Sequence, residues 1–166
     1  IFMKFYRKRI SKIISVSQAG ISQMKKMIGD ISAEVIYNGV DTTFYNPELS
    51  EPYKKGAPQL LFVGGLRPYK KASLLIGYIP KLLTKYPNIH LQIVGTGEEK
   101  LPLENLVKKL NIENFIELTG KIDNEELRLR YSSCDIYVSA STFEVCPVPT
   151  LEAMACGKSL LLFDIE

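Results

Sequence analysis

Two carboxylates, Glu144 and Glu152, stand eight positions apart in the stretch Glu144-Val145-Cys146-Pro147-Val148-Pro149-Thr150-Leu151-Glu152-Ala153-Met154-Ala155-Cys156-Gly157. The first follows a strand-like run, Asp135-Ile136-Tyr137-Val138-Ser139; the second falls inside a short Ala/Met/Leu helix that Gly157 can end. An acid in the loop at a strand's C-terminal end and another on the next helix both face the crevice where an open α/β sheet binds ligands. Carboxylates accept hydrogen bonds from hydroxyls of a sugar or a ribose, and the free N–H groups of a helix N-terminus suit phosphates. That chemistry fits a nucleotide sugar. On spacing alone, the commoner reading is a surface acid followed by a first-turn Glu favoured by the helix dipole.

Three further stretches lie at C-terminal ends of predicted strands and should converge on the same crevice. In Gly64-Gly65-Leu66-Arg67-Pro68-Tyr69-Lys70 the glycines let the backbone approach a ligand, and Arg67 and Lys70 bring charge suited to a diphosphate. A basic surface turn is the other reading of this stretch. Gly95-Thr96-Gly97-Glu98 is a lone Gly-x-Gly, as well explained by a strand-to-helix turn as by ligand contact. In Gly120-Lys121-Ile122, Ile122 could wall a base and Lys121 offer a backbone contact. Cys146 has no His partner nearby, so it reads as a small pocket-lining side chain rather than a nucleophile. His90, the only histidine, precedes a strand and reads as solvated or packed.

The elements that must position these residues follow from periodicity. Residues 11–17 and 33–37 read as short strands flanking a helix, Gln18 to Ile28, which Ser17 can cap and which turns Ile21, Met24 and Ile28 to one side. Asn38-Gly39 is a turn signal because both residues tolerate positive φ. Residues 42–58, with Pro47, Pro52, Gly56 and Pro58, read as linker or surface loop. From Leu60 onward strands and helices alternate: strands at 60–63, 91–94, 115–118, 136–138 and 159–163, and helices at 71–86, about 101–110 and 124–132. Leu75, Ile79, Leu82 and Leu83 share a face of the first of these helices, which Pro80 should kink or split. Leu103, Leu106, Val107 and Leu110 stripe the second, and Asp123-Asn124-Glu125-Glu126 forms a capping box for the third. Repeated β-α units without tight hairpins call for a parallel sheet.

The segment from Glu144 resembles the E-x7-E element of GT-B glycosyltransferases, in particular the retaining family 4, with Leu151-Glu152-Ala153-Met154-Ala155-Cys156-Gly157 matching its helix. The resemblance runs over nearly the whole chain. It implies a Rossmann-like, mainly parallel sheet with helices on both faces: the second domain of a GT-B fold, incomplete at its C-terminus. Residues 1–37 would then be the remnant of the N-terminal domain, 38–58 the interdomain linker and loop, and 59–166 the donor-binding domain. The implied activity is transfer of a hexose from a nucleoside-diphosphate sugar, UDP- or GDP-linked, to a glycan or lipid-linked acceptor held by the N-terminal domain, for glycan or cell-envelope polysaccharide synthesis. No cofactor and no essential metal are implied. Glu144 would bind hydroxyls of the transferred sugar and act in catalysis, Glu152 would bind the ribose, and Lys70 would grip the phosphates. Gly64, Gly65, Gly95, Lys121, Ile122, Thr150 and Leu151 complete the implied donor site. Two departures stand out. Gly65 occupies the position of the family's phosphate-binding Arg, a role Arg67 would take over from two positions away. Pro147 stands where the family's second Gly offers an N–H, and proline has none. These departures leave open a non-catalytic nucleotide-sugar-binding or scaffold protein, beside a GT-B epimerase or phosphorylase.

Composition bounds these readings. A chain of 166 residues, 46% apolar and 23% charged, suffices for one substantial core. The net charge of +3 gives no argument for nucleic acid. Lys4, Arg7, Lys8, Arg9 and Lys12 contribute +5 before residue 13, leaving −2 elsewhere. With Phe2, Phe5 and Tyr6, that start reads either as a solvated face or as a peripheral contact with an anionic membrane surface. The three cysteines show neither disulfide nor zinc spacing, which suits a cytoplasmic setting. The chain begins without Met and stops after a strand, so both ends read as cut.

Overall fold

A computed structural model describes residues 9–165 and divides the chain into two units. Lys4, Arg7 and Lys8, with the three aromatics of the expected membrane contact, lie outside the described residues.

The smaller unit comprises the described residues up to Gly39 together with Glu144–Val148. In it β1 (Ile13–Ser15) pairs in parallel with β2 (Ala33–Val35), Ile13 opposite Ala33. The crossover is α1 (Gln18–Ile28). Ser17 is extended and its hydroxyl accepts the Gly20 N–H at 3.0 Å, satisfying one of the donors a helix start leaves open. Ile21 and Ile28 are buried on one stripe, with Met24 half-buried between them. Asn38-Gly39 does not form the expected turn, since neither residue has a positive φ. The Asn38 amide donates instead to the Cys146 carbonyl at 3.0 Å.

The turn forms at Asp41, in the larger unit. Asp41 Oδ1 accepts from the Thr43 and Phe44 N–H groups at 2.9 and 3.1 Å and from the Thr43 hydroxyl at 2.6 Å. A side chain thus supplies the acceptor, and no left-handed residue is required. The hydroxyl of Thr43 and the two N–H groups hold the Asp41 carboxyl below its ordinary value. Tyr45 N–H donates to Asp41 O at 2.9 Å, which completes the turn and delivers the Tyr45 ring inward.

The larger unit is built on five parallel strands in the order β5-β4-β3-β6-β7. They are β3 (Gln59–Val63), β4 (His90–Val94), β5 (Ile116–Gly120), β6 (Ile136–Ser139) and β7 (Ser159–Leu162). The chain moves outward from β3 to β5, then returns to the other side of β3 for β6, so the strand order reverses between β3 and β6. This is the Rossmann-like arrangement in which ligands bind beyond the C-terminal ends of the strands.

Alternation along the strands divides the core in two. Leu60, Phe62, Leu91, Ile93 and Val138 meet α2 (Ala72–Leu83) and α3 (Lys100–Lys109) on one face. Leu61, Val94 and Tyr137 meet α4 (Asn124–Ser133) and α5 (Val148–Ala155) on the other. Of the kink or split expected at Pro80, the split does not occur: α2 runs unbroken to Leu83. Ile76 and Ile79, both fully buried, pin this turn to the sheet, and the helix ends soon after, so one forfeited backbone bond is tolerated. At α4 the capping box is half formed. Asp123 accepts the Glu126 N–H at 2.8 Å, whereas the Glu126 carboxylate turns to Arg130. His90 opens β4 and is buried; burial lowers its pKa, which keeps it neutral and packed.

Candidate functional site

A cavity of about 250 Å³ opens beyond the ends of β3, β4 and β5. Five of the residues singled out from the sequence line it: Gly64, Gly65, Gly95, Lys121 and Ile122. Val63, Val94, Thr96 and Leu127 complete the wall. Ile122, Val63, Val94 and Leu127 belong to the apolar cluster under α4 and α5, so the floor of the cavity is the top of that core layer.

Backbone bonds join the two glycine loops. Gly64 N–H donates to Val94 O at 3.0 Å, Leu66 N–H to Thr96 O at 2.9 Å, and Glu99 N–H to Leu66 O at 3.0 Å. Gly95 N–H reaches across to Gly120 O at 2.9 Å. Such spacing leaves no room for side chains. A Cβ on Gly95 would stand 1.9 Å from Gly64 O, and one on Gly97 2.3 Å from Leu66 O. The Gly-x-Gly pair is therefore required by the approach of the two loops, and Gly95 and Gly64 together make a wall of bare backbone in the cavity.

Lys70 ends a 3-10 turn, Pro68–Lys70, and its stem lies over Gly64, with Cε 4.0 Å from where a Cβ would project. Its ammonium lies 5.5 Å from the Tyr69 ring centroid. Lys70 is thus beside the cavity. Arg67 is exposed; neither it nor Lys70 is one of the wall residues, and it is Lys70 whose stem meets Gly64. The loop after β6 is tied to this turn: the Thr142 N–H and hydroxyl both meet Tyr69 O, at 2.9 and 3.2 Å, and the Phe143 ring meets Tyr69 edge to face at 6.4 Å.

On α5, Thr150 is buried, and Leu151 and Glu152 are half-buried. Pro149 contributes no N–H, so Thr150 and Leu151 are the nearest first-turn donors on that helix in the larger unit. Glu152 Oε2 accepts from the Tyr131 hydroxyl at 2.7 Å. Leu127 and Tyr131 are one helical turn apart on α4, so the residue that walls the cavity and the one that holds Glu152 share a face. Neither was singled out from the sequence. Their spacing of four was the available signal, but in a helix of mostly polar residues it gave no reason to prefer this face. Glu144 belongs to the smaller unit.

Cys146 is half-buried and free. Cys134 and Cys156 are buried and free, and burial pushes their thiols up to about 12 and about 11, which makes them inert packing residues. Among the described residues no group of three His, Cys, Asp or Glu could hold a metal ion, and no helix is long and apolar enough to cross a membrane.

A family model described as glycosyl transferases group 1 matches residues 47–166. An uncharacterized glycosyltransferase of Methanocaldococcus jannaschii is 30% identical over 142 residues, 80% of this chain and 36% of that protein. The C-terminal domain of a glycosyl transferase group 1 family protein from Francisella tularensis is 28% identical, with a TM-score of 0.66 over 75% of this chain and 70% of that one. The structure of S. aureus TarM in complex with UDP and other ligands superposes with a TM-score of 0.83 at 19% identity, over 99% of this chain and 32% of that one. The chain spans about a third of the length of the curated relatives it matches.

Proposed function

Because this chain belongs to the glycosyl transferases of group 1, we propose that its larger unit binds the donor of a sugar-transfer reaction, a nucleoside-diphosphate sugar carrying uracil or guanine. The observation that carries this reading is the cavity beyond β3, β4 and β5, where Gly64, Gly65 and Gly95 expose backbone, Lys70 stands beside them, and Ile122 forms an apolar wall. A diphosphate suits the glycine wall and the Lys70 ammonium. A base suits Ile122 and the Lys121 backbone, and ribose hydroxyls suit the Glu152 carboxylate. UDP is present in the S. aureus TarM structure, which supports a nucleotide as the ligand.

In the complete reaction Glu144 takes hydroxyls of the transferred sugar, and the anomeric configuration is retained. The acceptor, a glycan or lipid-linked sugar, is held by parts of the protein outside this chain, and the reaction takes place in the cytoplasm. Leaving-group charge is stabilised by Lys70, with Arg67 in support, and by the Thr150 and Leu151 N–H groups, without an essential metal. The chain alone therefore binds donor without transferring it. Gly65 and Pro147, each lacking the donor expected at its position, favour a second reading in which the site binds a nucleotide sugar and does no chemistry. A transfer assay on the longer protein separates the two, and product analysis would reveal epimerisation or phosphorolysis.

The test is calorimetric titration of the chain and its Glu152→Ala variant with UDP, GDP and ADP. One nucleotide should bind saturably, and the substitution should weaken it about 10- to 100-fold, the range for lost hydrogen bonds to a charged group. A folded protein that binds none of the three, or binds equally well without Glu152, would overturn the reading.

A further inference from the structure

Glu152 can accept two neighbouring hydroxyls only if its carboxylate keeps one orientation, and two phenols from other elements surround it. Tyr131, on α4, is 0% exposed and donates to Oε2 at 2.7 Å. Tyr45, 8% exposed, comes from the segment between β2 and β3 and faces the same carboxylate. The two rings meet edge to face, 5.7 Å apart. Neither phenol reaches this place by chance of a loop: Tyr131 is fixed by its helix, and Tyr45 by the turn that Asp41 caps. Burial, reinforced by the Glu152 charge, pushes both phenols far above their ordinary pKa, so both remain protonated donors at any physiological pH.

We propose that Tyr45 and Tyr131 are positioning residues, which hold the Glu152 carboxylate by one side so that its other lone pairs accept both hydroxyls of a ribose cis-diol. The inference rests on the reading of Glu152 as the ribose ligand. A carboxylate offers about four acceptor positions; the Tyr131 bond takes one and a Tyr45 hydroxyl closing on the carboxylate would take another, which leaves two, the number a vicinal diol requires. An unheld Glu would have to be ordered on binding, at a cost in rotamer freedom. The pair therefore makes this a site selective for ribonucleotides over nucleotides that lack the diol, with the selectivity set by residues that never touch the ligand.

The experiment compares UDP with 2′,3′-dideoxy-UDP, and GDP with its dideoxy analogue, by calorimetry on wild type, Tyr131→Phe, Tyr45→Phe and the double variant. Each single change removes one oxygen and keeps the ring, and thermal melts confirm the fold. Wild type should prefer the ribonucleotide of the pair that binds. Each Phe variant should lose about 5- to 10-fold in ribonucleotide affinity, as expected for one hydrogen bond, and leave the dideoxy probe unchanged. Equal losses for both probes would mean that the phenols only support packing, and no loss in either variant would mean that they do not orient Glu152; each overturns the inference. If wild type itself does not distinguish the two probes, Glu152 takes no ribose hydroxyl, and the underlying reading fails with it. Testing Tyr45 separately keeps the question answerable if Tyr131→Phe unfolds.

Discussion

Alanine at Gly95 is expected to lower stability by about 3–5 kcal/mol and to reduce nucleotide binding at least 100-fold, a larger effect than removing any one ligand-facing side chain. Gly95 sits at φ +138°, a conformation that side chains resist. Its Cβ would stand 1.9 Å from Gly64 O and 3.0 Å from Gly64 C, and backbone cannot rotate out of the way as a side chain could. Relief requires the end of β3 and the end of β4 to separate. That separation breaks the Gly64 to Val94 bond at 3.0 Å, and moving Gly95 also disturbs its bond to Gly120 at the end of β5, at 2.9 Å. Roughly 1 kcal/mol for each bond and 1–3 kcal/mol of backbone strain make up the expected loss. Gly64 and Gly95 are both cavity wall, so whatever shift relieves the clash reshapes the proposed phosphate cradle. Gly65→Ala is the control for stability: its Cβ meets nothing closer than Thr96 O at 4.0 Å, and its melting midpoint should match wild type. Urea unfolding beside nucleotide titration checks both. A Gly95→Ala protein with wild-type midpoint and affinity would show that the loops are not interlocked as described.

The contrast between Gly95 and Tyr131 explains what could be read from the sequence. Strand-to-loop transitions leave marks in the residues themselves. A β-branched or aliphatic run followed by Gly-x-Gly announces both the strand and the place where backbone is exposed, so Gly64, Gly65, Gly95, Lys121 and Ile122 could be assembled before any coordinates. The parallel sheet was legible for the same reason, since short apolar runs and period-3.6 stripes alternate along residues 59–162. Tyr45 and Tyr131 leave no such mark. They lie 86 positions apart on a turn and a polar helix, and only the folded chain shows that their rings meet beside one carboxylate. Asn38-Gly39 and a split at Pro80 failed as signals because in each case a side-chain bond or buried packing outweighed the local backbone preference. Asp41 supplied the turn's acceptor, and the buried contacts of Ile76 and Ile79 carried α2 through its proline.

Replacing Arg130 with methionine is expected to destabilise the protein by about 3 kcal/mol at neutral pH, lowering its melting midpoint by roughly 10 °C. Arg130 is 4% exposed on α4, and its Nη2 bonds Glu117 at 3.1 Å and Glu126 at 2.7 Å. The guanidinium also lies 4.4 Å above the Tyr53 ring, and Tyr53 O in turn receives Gln59 and Gln92 at 2.9 and 3.0 Å. Arg130 thus anchors α4 and the segment before β3 to the starts of three strands. Methionine fills similar volume but leaves Glu117 beside apolar surface with only Lys55 to balance it. The loss should fall at the low end for a broken buried pair, because Nη1 has no partner among the described residues and its desolvation is relieved. Glu117 makes the effect depend on pH. Burial pushes its carboxyl up, but the bonds from Arg130 and Lys55 push it down by more, to below its ordinary value of 4.5. A depressed folded pKa contributes stability that is complete above 4.5 and disappears as pH falls through the folded value. The gap between wild type and Arg130→Met should therefore be widest near neutrality and narrow on acidification, as Glu117 protonates in both. The Arg130→Met/Glu117→Gln double variant should recover part of the loss, because it removes the stranded charge together with its partner. If urea midpoints across pH showed a constant gap, or the double variant were no better than the single, the network would be holding α4 by packing alone.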